Sequence, residues 1–205
     1  MKNINHNSIL LFAVLSFCSC FNSYDEVEIG DQIWMSKNLN VDKFRNGDPI
    51  PHAKNIEEWL EYGENKGPAW CYFNNDKSNS SIHGKLYNYY AVVDPRGLAP
   101  EGWRIPSYYD WSGLAHYYGG WDKAKHRITG ENSKFKAYYS GRRVNVLGTE
   151  GFLEKGGAPS AAYWWVSPPT PDSRAAHVLL SNSFFRYDAD RSVKAYYGNS
   201  VRCIR

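Results

Sequence analysis

Ser107-Tyr108-Tyr109-Asp110-Trp111-Ser112-Gly113-Leu114-Ala115-His116-Tyr117-Tyr118-Gly119-Gly120 contains a helix start, a periodic apolar face and a helix stop within one short stretch. A Ser107 hydroxyl can accept from the exposed N–H groups of a first turn, and Asp110, three positions on, completes a box-like pattern. Trp111, Leu114, Ala115 and Tyr118 fall at i, i+3, i+4 and i+7, one face of a helix. Gly119-Gly120 supplies the left-handed geometry that commonly ends one. A shorter helical piece is expected through Asp122–Ile128.

Downstream of this helix the pattern changes. Residues 129–160 are rich in Gly, Ser, Asn and charge and read as irregular connections with one strand at most. Short strands are then expected at Tyr163–Ser167, His177–Leu180, Ser183–Tyr187, Val193–Tyr197 and Ser200–Ile204. Upstream, Val27-Glu28-Ile29, Gly30-Asp31 and Gln32–Met35 read as a β-hairpin around a two-residue turn. Asn55 caps a second helix whose Ile56, Trp59 and Leu60 share a face. Helices early and strands late, without βαβ alternation, indicate one α+β domain over residues 27–205.

Composition narrows the function classes. The chain has 205 residues, enough for one domain with a substantial core. A net charge of +3, with no run or stripe of Lys and Arg, lacks the footprint of a nucleic-acid binder. Aromatic residues make up 16% of the chain, which makes them the first place to look for a contact surface.

The N-terminus predicts export. Lys2 precedes the apolar run Ile9–Phe17, which suits a signal-peptide core and is far shorter than the roughly 20 residues a spanning helix needs. Phe17-Cys18-Ser19-Cys20 resembles the lipobox of bacterial lipoproteins. Small Ser19 precedes Cys20, so Cys20 is the expected lipidation site and residues 1–19 the signal peptide. Residues 20–26 form a linker that holds the domain close to the membrane. Removal of Cys18 and acylation of Cys20 leave Cys71 and Cys203, which an oxidising compartment would pair as a disulfide. The alternative is two buried free thiols. Neither cysteine has the neighbours of a zinc site, so no metal is expected.

Several blocks occur in a fixed order: Gly47–Pro51, Pro68–Asp76, Gly84–Val92, Asp94–Ser107, Tyr163–Ser167 and Ser200–Ile204. Together they resemble the Fibrobacter succinogenes major paralogous domain family, over nearly all of the chain after residue 26. The resemblance implies an exported protein, often a lipoprotein, without an established activity. It also implies a single domain with a C-type lectin-like fold of short helices and irregular antiparallel strands, shared distantly with formylglycine-generating enzymes. Those enzymes bind copper through a closely spaced C-terminal cysteine pair, whereas this chain has only Cys203 there. The calcium-binding Glu-Pro-Asn signature of sugar-binding C-type lectins is absent as well.

No Gly-x-Ser-x-Gly elbow, phosphate-cradling loop or motif-flanked histidine suggests a catalytic residue or a cofactor. Asp188-Ala189-Asp190 is a close acidic pair that reads as a hairpin tip. The aromatics remain: seven adjacent pairs, including Trp164-Trp165 and Tyr196-Tyr197. Neighbours on a strand point to opposite faces, so one member of each strand pair is expected to face outward. Trp164, Trp165, Tyr196 and Tyr197 are therefore the candidate ligand contacts, suited to stacking on sugar rings or peptides. The expected protein is a lipid-anchored, non-enzymatic binding module of the bacterial envelope, at the outer membrane. Its partner would be a polysaccharide or an envelope protein and not a nucleic acid. An enzyme of the formylglycine-generating group and a purely structural envelope protein are the alternatives.

Overall fold

The computed structural model describes residues 24–144, 152, 159–170, 173–189 and 194–205. The signal segment with Cys18 and Cys20, most of the linker, and Asp190 and Val193 lie outside them. The expected hairpin forms: β1 (Glu26–Ile29) pairs antiparallel with β2 (Gln32–Met35). α1 (Ile56–Glu64) follows, with the Asn55 side chain accepting from Glu58 N–H at 2.8 Å. The short pair β3 (Trp70–Cys71) and β4 (Leu86–Tyr87) brackets a four-residue helix, α2 (Ser80–His83). Another single turn, α3 (Tyr89–Val92), leads toward α4 (Tyr108–Tyr117) and α5 (Trp121–Ile128). β5 (Ala161–Val166), β6 (Ala176–Ser181) and β7 (Phe185–Asp188) form an antiparallel three-stranded sheet. Helices and antiparallel strands thus make an α+β fold. Among the described residues no helix is long and apolar enough to cross a membrane.

α4 carries both of its end signals. Ser107 Oγ accepts from Asp110 N–H, and the Asp110 carboxylate accepts from Ser107 N–H at 2.7 Å, a reciprocal capping box. At the other end Gly119 N–H bonds to His116 C=O and Gly120 N–H to Ala115 C=O. These are the two bonds of a Schellman motif, and Gly119 reaches it with φ +87°.

Arg104 adds a bidentate contact to Asp110, at 2.6 and 2.7 Å. Burial raises the Asp110 pKa, but the Arg104 and Ser107 bonds overcome it and hold the carboxyl below its usual range. A depressed carboxylate pKa contributes stability that is present above the unfolded value of about 4 and lost as pH falls through the folded value. Asp110→Asn is therefore expected to flatten the loss of thermal stability as pH falls below about 4. Melting temperatures measured across that range check this, and a slope identical to that of the parent would sink it.

In the three-stranded sheet, β5 and β6 are buried on both faces, while β7 is partly exposed. Register places Trp164, Val178 and Tyr187 on one side, and Trp165, His177 and Asp188 on the other. The first face packs with Trp111, Leu114, Ala124, Ile128 and Phe135 from the region of α4 and α5. On the second face Trp165 joins Met35, Leu39, Tyr87, Tyr89 and Cys203, while Tyr163 clusters with Ala161 and Leu179. Both tryptophans have 0% exposure, so the expectation that one would point to solvent is corrected. A strand does alternate its side chains, but here both sides are interior.

The C-terminal residues do not form the two regular strands expected of them. Tyr196 and Tyr197 lie in a turn, and 199–204 make single bridges to several partners. Ser200 bridges β5, Asn199 bridges Tyr87, and Ile204 bridges both Trp34 and Arg104. Leu39 N–H bonds to Val201 C=O and Met35 N–H to Cys203 C=O. This segment is a central staple between the hairpin, the loop after it and the sheet. Changing partner at each step satisfies its main-chain groups without a continuous ladder.

Cys71 and Cys203 are free, buried thiols, so the expected disulfide is not made. They sit in different core clusters. Cys71 packs with Trp59, Phe73 and Leu86, and Cys203 with Met35, Tyr87 and Trp165. Burial raises both thiol pKa values, that of Cys203 to about 12, which disfavours the reactive thiolate.

A candidate binding groove beside the chain entry

Between β2 and Ile50 the chain runs in an irregular, extended path over residues 36–45. Leu39 and Phe44 turn inward, while Asn40, Asp42 and Lys43 stay on the outer side. The path is held at many points. Ser36 N–H bonds to Asp25 C=O, Phe44 N–H to Asp48 C=O and Arg45 N–H to Gly97 C=O. The buried Tyr87 hydroxyl accepts from Val41 N–H at 2.8 Å and donates to Val41 C=O at 2.7 Å. One side chain thus satisfies both main-chain groups of Val41. Lys85 donates to Asn40 C=O at 3.2 Å while its ammonium lies 4.2 Å from the Trp70 ring. Burial lowers the Lys85 pKa, with Asp42 opposing the shift.

These restraints shape an open groove of about 730 Å³ between residues 35–45, Tyr24–Asp25 and the Leu98–Glu101 loop. Met35, Leu39, Phe44 and Leu98 give it an apolar floor. Lys37, Asn40, Asp42, Lys43, Arg45 and Glu101 give it a polar rim. Tyr24 flanks the groove and meets Trp103 edge-to-face at 6.4 Å. Two rim pairs lie between exposed groups, Asp25–Lys37 at 3.2 Å and Arg45–Glu101 at 3.9 Å, while the exposed Asp42 carboxylate lies 3.9 Å from the buried Lys85 ammonium. Exposed pairs of this kind contribute little, on the order of 0–1 kcal/mol, so a ligand can exchange them at small cost. An apolar floor with a few oriented polar groups is the usual composition of a ligand cleft.

The residues singled out by sequence lie elsewhere. Trp164 and Trp165 are core, with their indole N–H groups donating to Asn38 Oδ1 and to Tyr87 C=O. Tyr196 and Tyr197 are half-buried. Tyr196 C=O accepts from Trp59 Nε1, and the Tyr197 ring covers the Arg142 guanidinium at 4.4 Å. Of the seven aromatic pairs, Tyr108, Tyr109, Tyr117 and Phe184 are the exposed members, and Tyr109 is the most exposed at 81%. Tyr108 also packs on Tyr187 at 4.8 Å. None of these lines the groove. Cys20 lies outside the described residues. Among the described residues, no three His, Cys, Asp or Glu side chains are grouped to hold a metal ion.

Sequence reading passes over the groove because residues 36–45 match no motif. The available signal is the alternation Asn38-Leu39-Asn40-Val41-Asp42, an extended segment with one polar edge. That pattern shows an edge; the opposite wall comes from a loop some sixty residues away.

The fold and groove describe an α+β module with a preformed cleft. The model of the Fibrobacter succinogenes major domain matches residues 27–205, and the chain belongs to that family. No curated protein and no solved structure compared with the chain matches it.

Proposed function

We propose that the protein is a lipid-anchored lipoprotein of the bacterial envelope whose domain is a non-enzymatic binding module for polysaccharide. The groove carries this reading: it is open, restrained by side-chain clamps, floored by apolar side chains and flanked by Tyr24. A tyrosine beside amide and charged groups suits a sugar ring, which presents a C–H face for stacking and hydroxyls for hydrogen bonds. A C-type lectin-like architecture belongs to the same reading, supported by short helices and small antiparallel pairs in place of one large sheet. Lipid on Cys20 would hold the groove at the membrane, because the four residues to Tyr24 span at most about 14 Å.

The test is a polysaccharide array probed with the full chain and with Tyr24→Ala and Lys43→Ala. Saturable binding is expected, weakened about tenfold or more by Tyr24→Ala, in the range of a lost aromatic contact. Absence of binding to any polysaccharide, or binding undiminished in both variants, would overturn the groove as the site. Labelled fatty acid should be incorporated by Cys18→Ala and lost in Cys20→Ala; the reverse pattern removes the anchor assignment.

A further inference from the structure

Arg202 is 1% exposed and, among the described residues, no carboxylate pairs with it. Its hydrogen-bond acceptors are neutral oxygens, and its guanidinium lies 4.5 Å from the Phe135 ring centroid. Nε and Nη2 donate to Asn38 Oδ1 at 3.1 and 3.0 Å, and Nη1 donates to Ser36 C=O and Phe135 C=O. Hydrogen bonds to neutral acceptors satisfy the N–H groups but leave the net charge uncompensated in a low-dielectric setting. Burial accordingly pushes the Arg202 pKa down to about 9.

Arg202 also forms part of the wall of a second cavity, of about 380 Å³. This volume is at the lower end of the range for small-molecule sites. Lys37, Lys136, Tyr138, Ser36 and Ser81 line it with Arg202. Three cationic side chains there face two carboxylates, Asp25 and Glu131, and Asp25 is already paired with Lys37 at 3.2 Å. The Tyr138 phenol is close enough to act on the Arg202 charge. Asp25 and Lys37 line both this cavity and the groove, so the two spaces meet at that ion pair.

We infer that this second cavity is an oxyanion subsite of the groove, taking the carboxylate or sulfate substituent of an acidic polysaccharide whose chain lies along the groove. The inference rests on the groove reading for the polymer, and on Arg202 and its surroundings for the anionic group. Arg202 provides a positive charge that no described carboxylate pairs with, and Lys136 and Tyr138, which also line the cavity, provide donors. Charge-assisted hydrogen bonds to an oxyanion are the strong ones, so a bound anion would supply a countercharge that no described carboxylate provides.

The experiment is calorimetric titration of the full chain with D-glucuronate, with sodium sulfate and with neutral D-glucose, at constant ionic strength. Lys136→Ala and Tyr138→Phe are measured in parallel, because both alter the cavity without touching the Asn38–Arg202 contacts. Glucuronate or sulfate should bind saturably and glucose should not, with affinity falling about tenfold in Lys136→Ala and several-fold in Tyr138→Phe. The preference between the two anions identifies the substituent. Equal weak uptake of all three probes, or anion binding unaltered in both variants, overturns the subsite. Polygalacturonate and dextran separate this result from the groove itself. Dextran binding lost in Tyr24→Ala, with no anion binding, keeps the groove and ends the subsite. Anion binding without binding of either polymer keeps the subsite and ends the groove as a polysaccharide site.

Discussion

Asn38→Ala is expected to lower the folding stability by about 3–5 kcal/mol, the scale of removing a partner from a buried charge. Asn38 is a small amide only 7% exposed, yet three elements converge on it. Its Oδ1 accepts from Trp164 Nε1 at 2.9 Å and from Arg202 Nε and Nη2, and its Nδ2 donates to His83 C=O at 3.0 Å. Alanine would leave an indole N–H, a carbonyl and two guanidinium nitrogens without that partner in the interior. For a domain of this length the melting temperature should fall on the order of 10 °C. Urea denaturation with an unchanged m value would assign the loss to the native state. Asn40→Ala is the control: Asn40 is exposed and its side chain makes one long bond, 3.5 Å to Ser80 C=O. Equal effects of the two substitutions would remove Asn38 from its central role.

Gly141→Ala should lower the stability by about 2–4 kcal/mol, from backbone strain combined with overpacking. Gly141 has φ +61°, and an added Cβ would lie 2.3 Å from Cε2 and 2.8 Å from Cδ2 of Phe73. Phe73 is buried against Phe152 and His83, so its ring has little room to retreat. Gly141 also bonds through its N–H to Ala161 C=O, at the start of β5. Its displacement would disturb the arginines that follow. Arg142 lies over the Tyr163 ring at 4.0 Å, and Arg143 is wholly buried with Nη1 on Asn75. Gly47→Ala is the reference, because Gly47 has a positive φ and an added Cβ there would meet nothing within 4 Å. It should show the backbone cost alone, about 1–2 kcal/mol. If Gly141→Ala costs no more than Gly47→Ala, the Phe73 contact is not what requires glycine.

The two helices whose ends are marked show what local chemistry can specify. Asn55 and Ser107 both cap as their residue types allow, and Gly119-Gly120 ends α4 with both expected bonds. Each involves groups a few residues apart, so the information is complete in the stretch itself. In the Asn55 helix one detail differs. The Glu58 carboxylate accepts from Lys54 N–H at 2.7 Å, so the return bond falls one residue before the cap. The Trp164-Trp165 pair shows the opposite case. Period-two alternation places the rings on opposite faces correctly, but which faces meet water depends on what packs against the sheet. The cysteines are similar. Their number and an oxidising compartment suggest a bridge, but pairing requires proximity, and the chain buries them in separate clusters.

The stretch from Ser107 to Gly120, the hairpin at residues 26–35 and the ordered family blocks were determined by the sequence alone, because capping, turn formation and family motifs are read over short spans. The groove and the Arg202 cavity were decided only by the tertiary structure. Their walls come from Tyr24, residues 35–45, Leu98–Glu101, Lys136–Tyr138 and Arg202, which lie far apart along the chain. A buried arginine held by an asparagine 164 positions away leaves no local trace, since its placement depends on which distant side chains close around it.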